Sequence, residues 1–271
     1  MSENTLLSEA IGNDLDFLSL FKRSYDSMLV RTSPALQSFM RDTQLSPESL
    51  DCAHRVYMNM VRLQGQLHNL AEIFSAPGRV SVQRPLCYNP EQFLKCLTEY
   101  TTSLICESSI EITYDCSNAP ENAVFDLQRT SLILYNLLSN AIIHSTAKIR
   151  KICVSAAMEG DCLVISVTNN GRSIPPAKRD KLFSAYDSCL AELRNDIPLY
   201  TVRGLGLAAS RAAAAAMNAE LKYTPTHRGT RFDVIIPQPA VKMGEATTVV
   251  LDLELASACL ASALIWLKLG E

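Results

Sequence analysis

The chain lacks what several broad function classes need. Its 271 residues carry 25 Lys and Arg against 28 Asp and Glu, a formal net charge of −3, so no excess of positive charge draws it to nucleic acid. Nine cysteines are present, at positions 52, 87, 96, 106, 116, 153, 162, 189 and 259, yet no pair has CxxC spacing and none joins a Cys/His cluster. A structural zinc site is therefore not expected. The odd count, scattered through apolar contexts, reads as buried free thiols in a reducing, cytoplasmic setting. The first residues, "MSENTLLSEAIGNDLD", are acidic and have no basic stretch leading into an apolar core, so they do not read as a signal peptide. The apolar tail from 249 to 269 is interrupted by Asp252 and Glu254. Its uncharged part, Leu255 to Leu267, falls short of the roughly 20 residues a membrane span needs. It reads instead as a helix or strand packed on the body, with a membrane-surface or partner-binding helix as the alternative. No long-period repeat is visible.

What is present falls into two halves. Apolar residues at threes and fours predict a helix over 14–43, from Leu15, Leu18, Phe21, Tyr25, Met28 and Leu29. "QLSPES" is a turn, with Ser46 as cap and Pro47 at a first helical position. A second helix follows over about 50–75, with apolar positions Val56, Met60, Leu63, Leu67, Leu70 and Phe74. Two long helices joined by a short turn predict an antiparallel hairpin. A lone hairpin cannot bury both apolar faces, so a second copy completing a four-helix bundle is expected. Beyond "SAPGR" the pattern alternates: a strand near 79–84, a helix over 90–108 capped by Asn89, a strand over 109–116 and a helix over 125–145. A hairpin over 148–170, an irregular stretch over 171–203, an alanine-rich helix over 206–219 and a closing hairpin complete it. The expected class is α+β: a helical hairpin, then an α/β sandwich of antiparallel character with helices on one face. The expected units are 1–78, 79–237 and a C-terminal extension over 238–271.

Three spots in the second half carry chemistry. In "YNLLSNAIIHS", Asn136, Asn140 and His144 recur every four residues and share one helix face. "VTNNGRSIPP" ends a strand in a glycine turn, where a polar side chain can read the edge of a base. "VRGLGLAAS" opens a glycine loop into a helix, whose N-terminal N–H groups suit a phosphate. An asparagine oxygen is a hard, neutral donor suited to Mg²⁺, which prefers oxygen and bridges substrate phosphates. Singly, each has a plain reading as a turn, a backbone partner or a helix-end residue. In this order and spacing they describe a nucleotide between a helix and a loop.

The combination resembles the ATP-binding domain of sensor histidine kinases, the GHKL or Bergerat fold. "NLLSNAIIHS" looks like its N box, "NNGRSIP" its G1 box, "KLFSAY" its F box and "VRGLGLAAS" its G2 box; "GTRFDVIIP" is similar to its last strand. The match runs from roughly 80 to 237, and the hairpin in front looks like the kinases' dimerisation and phosphotransfer region. The resemblance implies that Asn140 holds Mg²⁺, with Asn136 and His144 in the same cluster. It implies that Asn169 sits where an aspartate accepts the adenine amino group, on the turn that Gly171 permits. Gly204, Leu205 and Gly206 would cradle the phosphates of ATP, and Phe183 and Tyr186 would anchor a lid over 187–203. A homodimer and a response regulator or upstream sensor are the implied partners, and the input would come from a partner or a soluble ligand.

The departures are specific. Asn169 replaces the aspartate, Ser173 and Val202 replace glycines, and Ile143 stands where a lysine often reaches the phosphates. In the first helix "MLVRTSPAL" places Met28 or Leu29 at the family's phosphoacceptor histidine, and no histidine precedes His54. His54 and His68, on the second helix, are the remaining candidates, and each reads more readily as a solvent-facing or bundle-packing polar residue. Three functions follow: a histidine kinase homologue using Mg-ATP; a dimeric, catalytically degenerate scaffold for a response regulator; or an anti-sigma-type serine kinase, which the hairpin argues against.

Overall fold

In a computed structural model of the chain, the described residues are 24–28, 31–32, 34–36, 38–41, 45–74, 86–104, 109–145, 147–179, 182–183, 205–227, 229–239 and 247–248. Helix α1 runs Pro47–Phe74 and begins as expected, with the Ser49 N–H donating to Ser46 Oγ at 3.2 Å and Pro47 opening the first turn. Ahead of it the described residues from 24 to 40 are helical. Tyr25 donates its hydroxyl to the Met60 carbonyl at 2.7 Å and packs on Leu67, so this segment meets α1. The rest of the helix expected over 14–43, and the strand expected near 79–84, lie outside the described residues.

The second half is built on a five-stranded sheet. β1 (Leu86–Tyr88) leads into α2 (Pro90–Leu104), capped by Asn89, whose Oδ1 accepts the Gln92 N–H at 2.8 Å. Then come β2 (Ile110–Asn118), β3 (Ala123–Val124) and α3 (Leu127–His144), capped by Asp126. β4 (Arg150–Glu159) and β5 (Cys162–Asn170) form the expected hairpin. A short α4 (Pro176–Arg179) lies in the stretch expected to be irregular. The alanine-rich α5 (Leu205–Ala216), β6 (Glu220–Thr226), β7 (Gly229–Pro237) and β8 (Thr247–Thr248) follow. The main sheet has the order β2-β4-β5-β7-β6. It is not wholly antiparallel, because β2 joins β4 in parallel with α3 as the crossover. A second, small sheet of order β3-β1-β8 was not expected, since strands of two or three residues leave no alternating pattern to read.

The helices cover one sheet face. Phe93, Leu94 and Leu97 of α2, Ile133, Leu134, Leu137 and Leu138 of α3, and Ala209, Ala213 and Ala214 of α5 meet Ile152, Val154, Leu163, Ile165 and Val234 of the sheet. Each large apolar side chain buried here stabilises by about 1.5–3 kcal/mol. On the other face a polar network takes the place of a second helical layer. The carboxylate of Asp233, itself buried, accepts from Ser166 (2.6 Å), Thr224 (3.0 Å) and Arg231 (2.6 Å). α5 stops at Asn218, which takes φ +55°, with the Ala219 N–H returning to the Ala214 carbonyl at 2.8 Å. The thiols only partly meet expectation: Cys87 and Cys96 are buried, Cys116, Cys153 and Cys162 partly so, and Cys52 is exposed on α1. Burial pushes the Cys116 thiol up to about 11, so it stays protonated at neutral pH. Val56, expected on the apolar face of α1, is also exposed. No helix among the described residues is long and apolar enough to cross a membrane.

β7 begins at Gly229, paired with Asn170 at the end of β5. Its φ is +142°, and an added Cβ would lie 1.7 Å from the Asn169 carbonyl oxygen. Gly229→Ala is therefore expected to cost about 2 kcal/mol or more of stability. Thermal denaturation measures it, and a melting temperature within a degree of the parent would contradict the close approach.

Candidate functional site

The apolar face of α3 fixes where its polar stripe falls. With Ile133, Leu134, Leu137 and Leu138 turned into the core, Asn136 and Asn140 come to the margin, half-buried, and His144 reaches the surface at the last turn. α5 meets this margin with its first turn. Gly206 packs against Asn136 so closely that a Cβ there would lie 3.0 Å from Asn136 Oδ1. Leu205 beside it is buried and anchors the turn. The N box and the described part of the G2 box thus form one contact between residues 70 apart in the sequence. Gly204 and Tyr186 lie outside the described residues, as does the expected lid over 187–203.

The end of β5 is tied to the end of the same helix. Ser145 donates to the Asn170 carbonyl at 2.8 Å, while the Asn170 side chain bridges the Lys151 N–H and the Ile149 carbonyl at 2.8 and 2.9 Å. This places the G1 turn beside the last turn of α3. Asn169 is buried; its Oδ1 accepts from the Thr230 hydroxyl and its Nδ2 donates to the Asn170 carbonyl at 2.9 Å. Gly171 takes φ +128°, the freedom this turn requires. Ser173, in place of a glycine, sets its hydroxyl between the Thr226 and Gly229 carbonyls, 2.7 Å from each. Phe183 packs edge-on against Phe232, with centroids 6.4 Å apart, so its ring lies on the core.

Asn140 has no hydrogen-bond partner among the described residues and stands one turn beyond the Asn136–Gly206 contact. A half-buried amide in that position fits a hard cation that brings its own anionic ligands. No group of three or more His, Cys, Asp or Glu among the described residues could hold a metal by itself. His68 is half-buried on α1, and the His54 side chain lies outside the described residues.

One neighbour of the site has no local signal in the sequence. Asn69 of α1 is buried and pairs its amide with that of Asn136: Asn136 Nδ2 donates to Asn69 Oδ1 at 3.0 Å, and Asn69 Nδ2 donates back at 3.4 Å. One turn on, Glu72 accepts from Arg129 Nε at 2.7 Å. Arg129 also reaches Asp126 at 3.2 Å. Burial opposes the charge of Arg129, but Glu72 and Asp126 outweigh it and hold the guanidinium above its usual range. Both partners of this contact belong to segments distant in sequence, so only the folded chain brings them together.

Comparison with known proteins agrees with this geometry. Residues 125–240 match the family of histidine kinase-, DNA gyrase B-, and HSP90-like ATPases. The aerobic respiration control sensor protein ArcB of Escherichia coli K12 is 31% identical over 128 residues, 45% of this chain and 15% of ArcB. The chain thus spans only a small part of the curated relatives it matches. Full-length ShkA in complex with AMPPNP superposes on 83% of this chain and 46% of its own, with a TM-score of 0.61 and 19% identity. The histidine kinase ThkA in complex with the response regulator protein TrrA covers 88% and 64%, with a TM-score of 0.52 and 16% identity. These two establish the fold. Over less than half of its length, residues 125–240, the chain is thus similar to the histidine kinase-, DNA gyrase B-, and HSP90-like ATPases, and its fold is that of solved histidine kinases.

Proposed function

We propose that the chain binds Mg-ATP between α3, the start of α5 and the turn after β5, and serves a two-component system as a histidine-kinase-like protein that transfers or relays a phosphoryl group. The observation that carries this reading is the contact of Asn136 with Gly206, which joins the polar stripe of α3 to the N-terminus of α5. In this reading Asn140 ligates Mg²⁺, which neutralises charge on the phosphates when bound. Asn136, His144, Gly204, Leu205 and Gly206 face the nucleotide's phosphates. Asn169, held by Thr230, offers its amide to the base on the turn made by Gly171. Phe183 secures the near end of the lid through Phe232.

Residues 1–78 would be the dimerisation hairpin, 79–237 the ATP-binding domain and 238–271 an extension. Met28, Phe39, Leu50 and Val56 are exposed on the N-terminal helices, an apolar set that a second copy would cover. A response regulator is the expected partner and the cytoplasm the expected place. With Met28 or Leu29 at the phosphoacceptor position, His54 and His68 are the remaining acceptors on the hairpin. The second reading, a dimeric scaffold for a response regulator with a weakened site, is favoured by two features. Asn169 is neutral where a carboxylate would give a charge-assisted bond, and Ile143 is exposed where a cation would meet phosphate.

Calorimetric titration of Mg-ATP tests the reading. Asn140→Ala is expected to abolish binding while leaving stability within about 0.5 kcal/mol, because it removes a ligand and little core volume. Unchanged affinity in that variant would refute the assignment. Asn169→Asp is expected to tighten Mg-ATP binding by about 3- to 10-fold, by restoring a charged acceptor next to Thr230. Equal or weaker binding would show that Asn169 does not meet the base.

A further inference from the structure

We infer that the groove between α2 and the outer edge of β2 is the seat of the chain's own C-terminal segment, with residues 255–267 laid along it as a helix. β2 ends the main sheet, so its outer edge meets no strand among the described residues. The opposite edge strand, β6, carries Pro225, which offers no N–H to a further strand, whereas β2 has no proline. Ile112, Thr113 and Tyr114 of β2 and Thr98, Glu99 and Thr102 of α2 line an open groove of about 610 Å³. Tyr114 is 37% exposed there, and Glu99 is the one charged residue of the lining. A trough of this kind, open along one side, fits a row of apolar side chains better than an enclosed small molecule.

The fold delivers the tail to this groove. β8 runs parallel to β1 with Thr248 beside Cys87, and β1 leads into α2 at Pro90. α2 starts near the end of β2, where the Glu91 carboxylate helps to raise the Cys116 thiol, and it enters the groove at Thr98, about 12 Å along its axis. Residues 249–254, extended, span about 20 Å, enough to carry Leu255 to the groove. The stretch that follows, "LASACLASALIWL", is uncharged and mostly alanine and leucine, both strong helix formers. Asp252 and Glu254 precede it and Lys268 follows it, the order that a helix dipole favours. At helical spacing Leu253, Leu260, Leu264 and Leu267 share one face, with Trp266 at its margin. Laid on the groove, that face leaves the water, covers Ile112 and Tyr114, and shields the edge of β2 from pairing with another chain.

Trp266 is the chain's only tryptophan, so the tail reports on itself. The test is the fluorescence of the full chain and of four variants, with thermal melts as a folding control. Glu99→Lys and Thr102→Arg place a cation at exposed positions of the groove, and Leu260→Asp and Leu264→Asp place a carboxylate on the tail. The parent is expected to emit at the short wavelengths of a buried indole and to resist quenching by acrylamide. All four variants are expected to shift to the longer wavelengths of an indole in water. Long-wavelength emission in the parent, or emission that neither groove variant changes, would overturn the proposal. The tail variants carry the test alone if the groove variants fail to fold. In them residues 98–102 and 110–116 are expected to lose protection from amide hydrogen exchange, and unchanged protection there would also overturn it. Other covers are told apart in the same experiment. Short-wavelength emission that fades on dilution would assign the tail to a second copy of the chain. Emission that shifts to short wavelengths only with vesicles of phosphatidylcholine and phosphatidylglycerol would assign it to a membrane surface. Either result would overturn the intramolecular seat.

Discussion

The approach of α5 to α3 is the constraint on which the rest of the domain depends. It is made possible by side-chain size. Ala208, Ala209, Ser210, Ala213 and Ala214 are buried along α5, and Gly206 stands at its start, so small side chains make up most of its buried face. Helices normally keep 8–10 Å between axes, and small residues take the lower end of that range. The alanines have strong intrinsic helix propensity as well, so one composition secures both the existence of α5 and its seat. A larger residue along this face would move the N-terminus of α5 away from Asn136 and separate the two halves of the site.

Much of this was legible in the sequence, and the limits follow from range. α3 and α5 announce themselves by the spacing of their polar residues and by alanine-rich composition, both of which act within a few residues. The three polar spots could be placed at a helix face, a strand end and a helix start; the fold sets Gly206 against Asn136 and ties the end of β5 to Ser145, just past the end of the same helix. What stayed hidden depends on partners far along the chain. Asn69 lies in a helical stretch of mixed polar and apolar residues, and nothing within several residues of it indicates a pair 67 residues away. The parallel joining of β2 to β4 is equally silent, because strand direction in a sheet is decided by the connection and not by the strand's own residues. The small sheet escaped for a different reason, its strands being too short for any period to show.

The departures from the family pattern look different once their surroundings are known. Ser173 stands where a second glycine is usual, yet its hydroxyl bonds the carbonyls of Thr226 and Gly229 and ties the turn to the β6–β7 hairpin. The freedom the turn needs is supplied by Gly171 alone, and Ser173 trades flexibility for anchorage. Asn169 is likewise embedded: Thr230 and the Asn170 carbonyl hold its amide from both ends, which fixes its orientation without a charge. A buried amide held this way needs no counter-ion and survives desolvation better than a carboxylate would.

Gln238 lies immediately past the strand that closes the main sheet. Its side chain imitates a strand: Oε1 accepts the Val124 N–H at 2.8 Å and Nε2 donates to the Val124 carbonyl at 3.1 Å, while its own N–H reaches the Asp161 carbonyl at 2.9 Å. One residue thereby staples β3 and the β4–β5 hairpin to the end of β7. The seam that composition suggests at 237 is consequently a poor place to divide the chain. A fragment ending at Pro237 would strip both backbone groups of Val124 of their partners, so a self-sufficient piece of this domain has to carry its last staple with it.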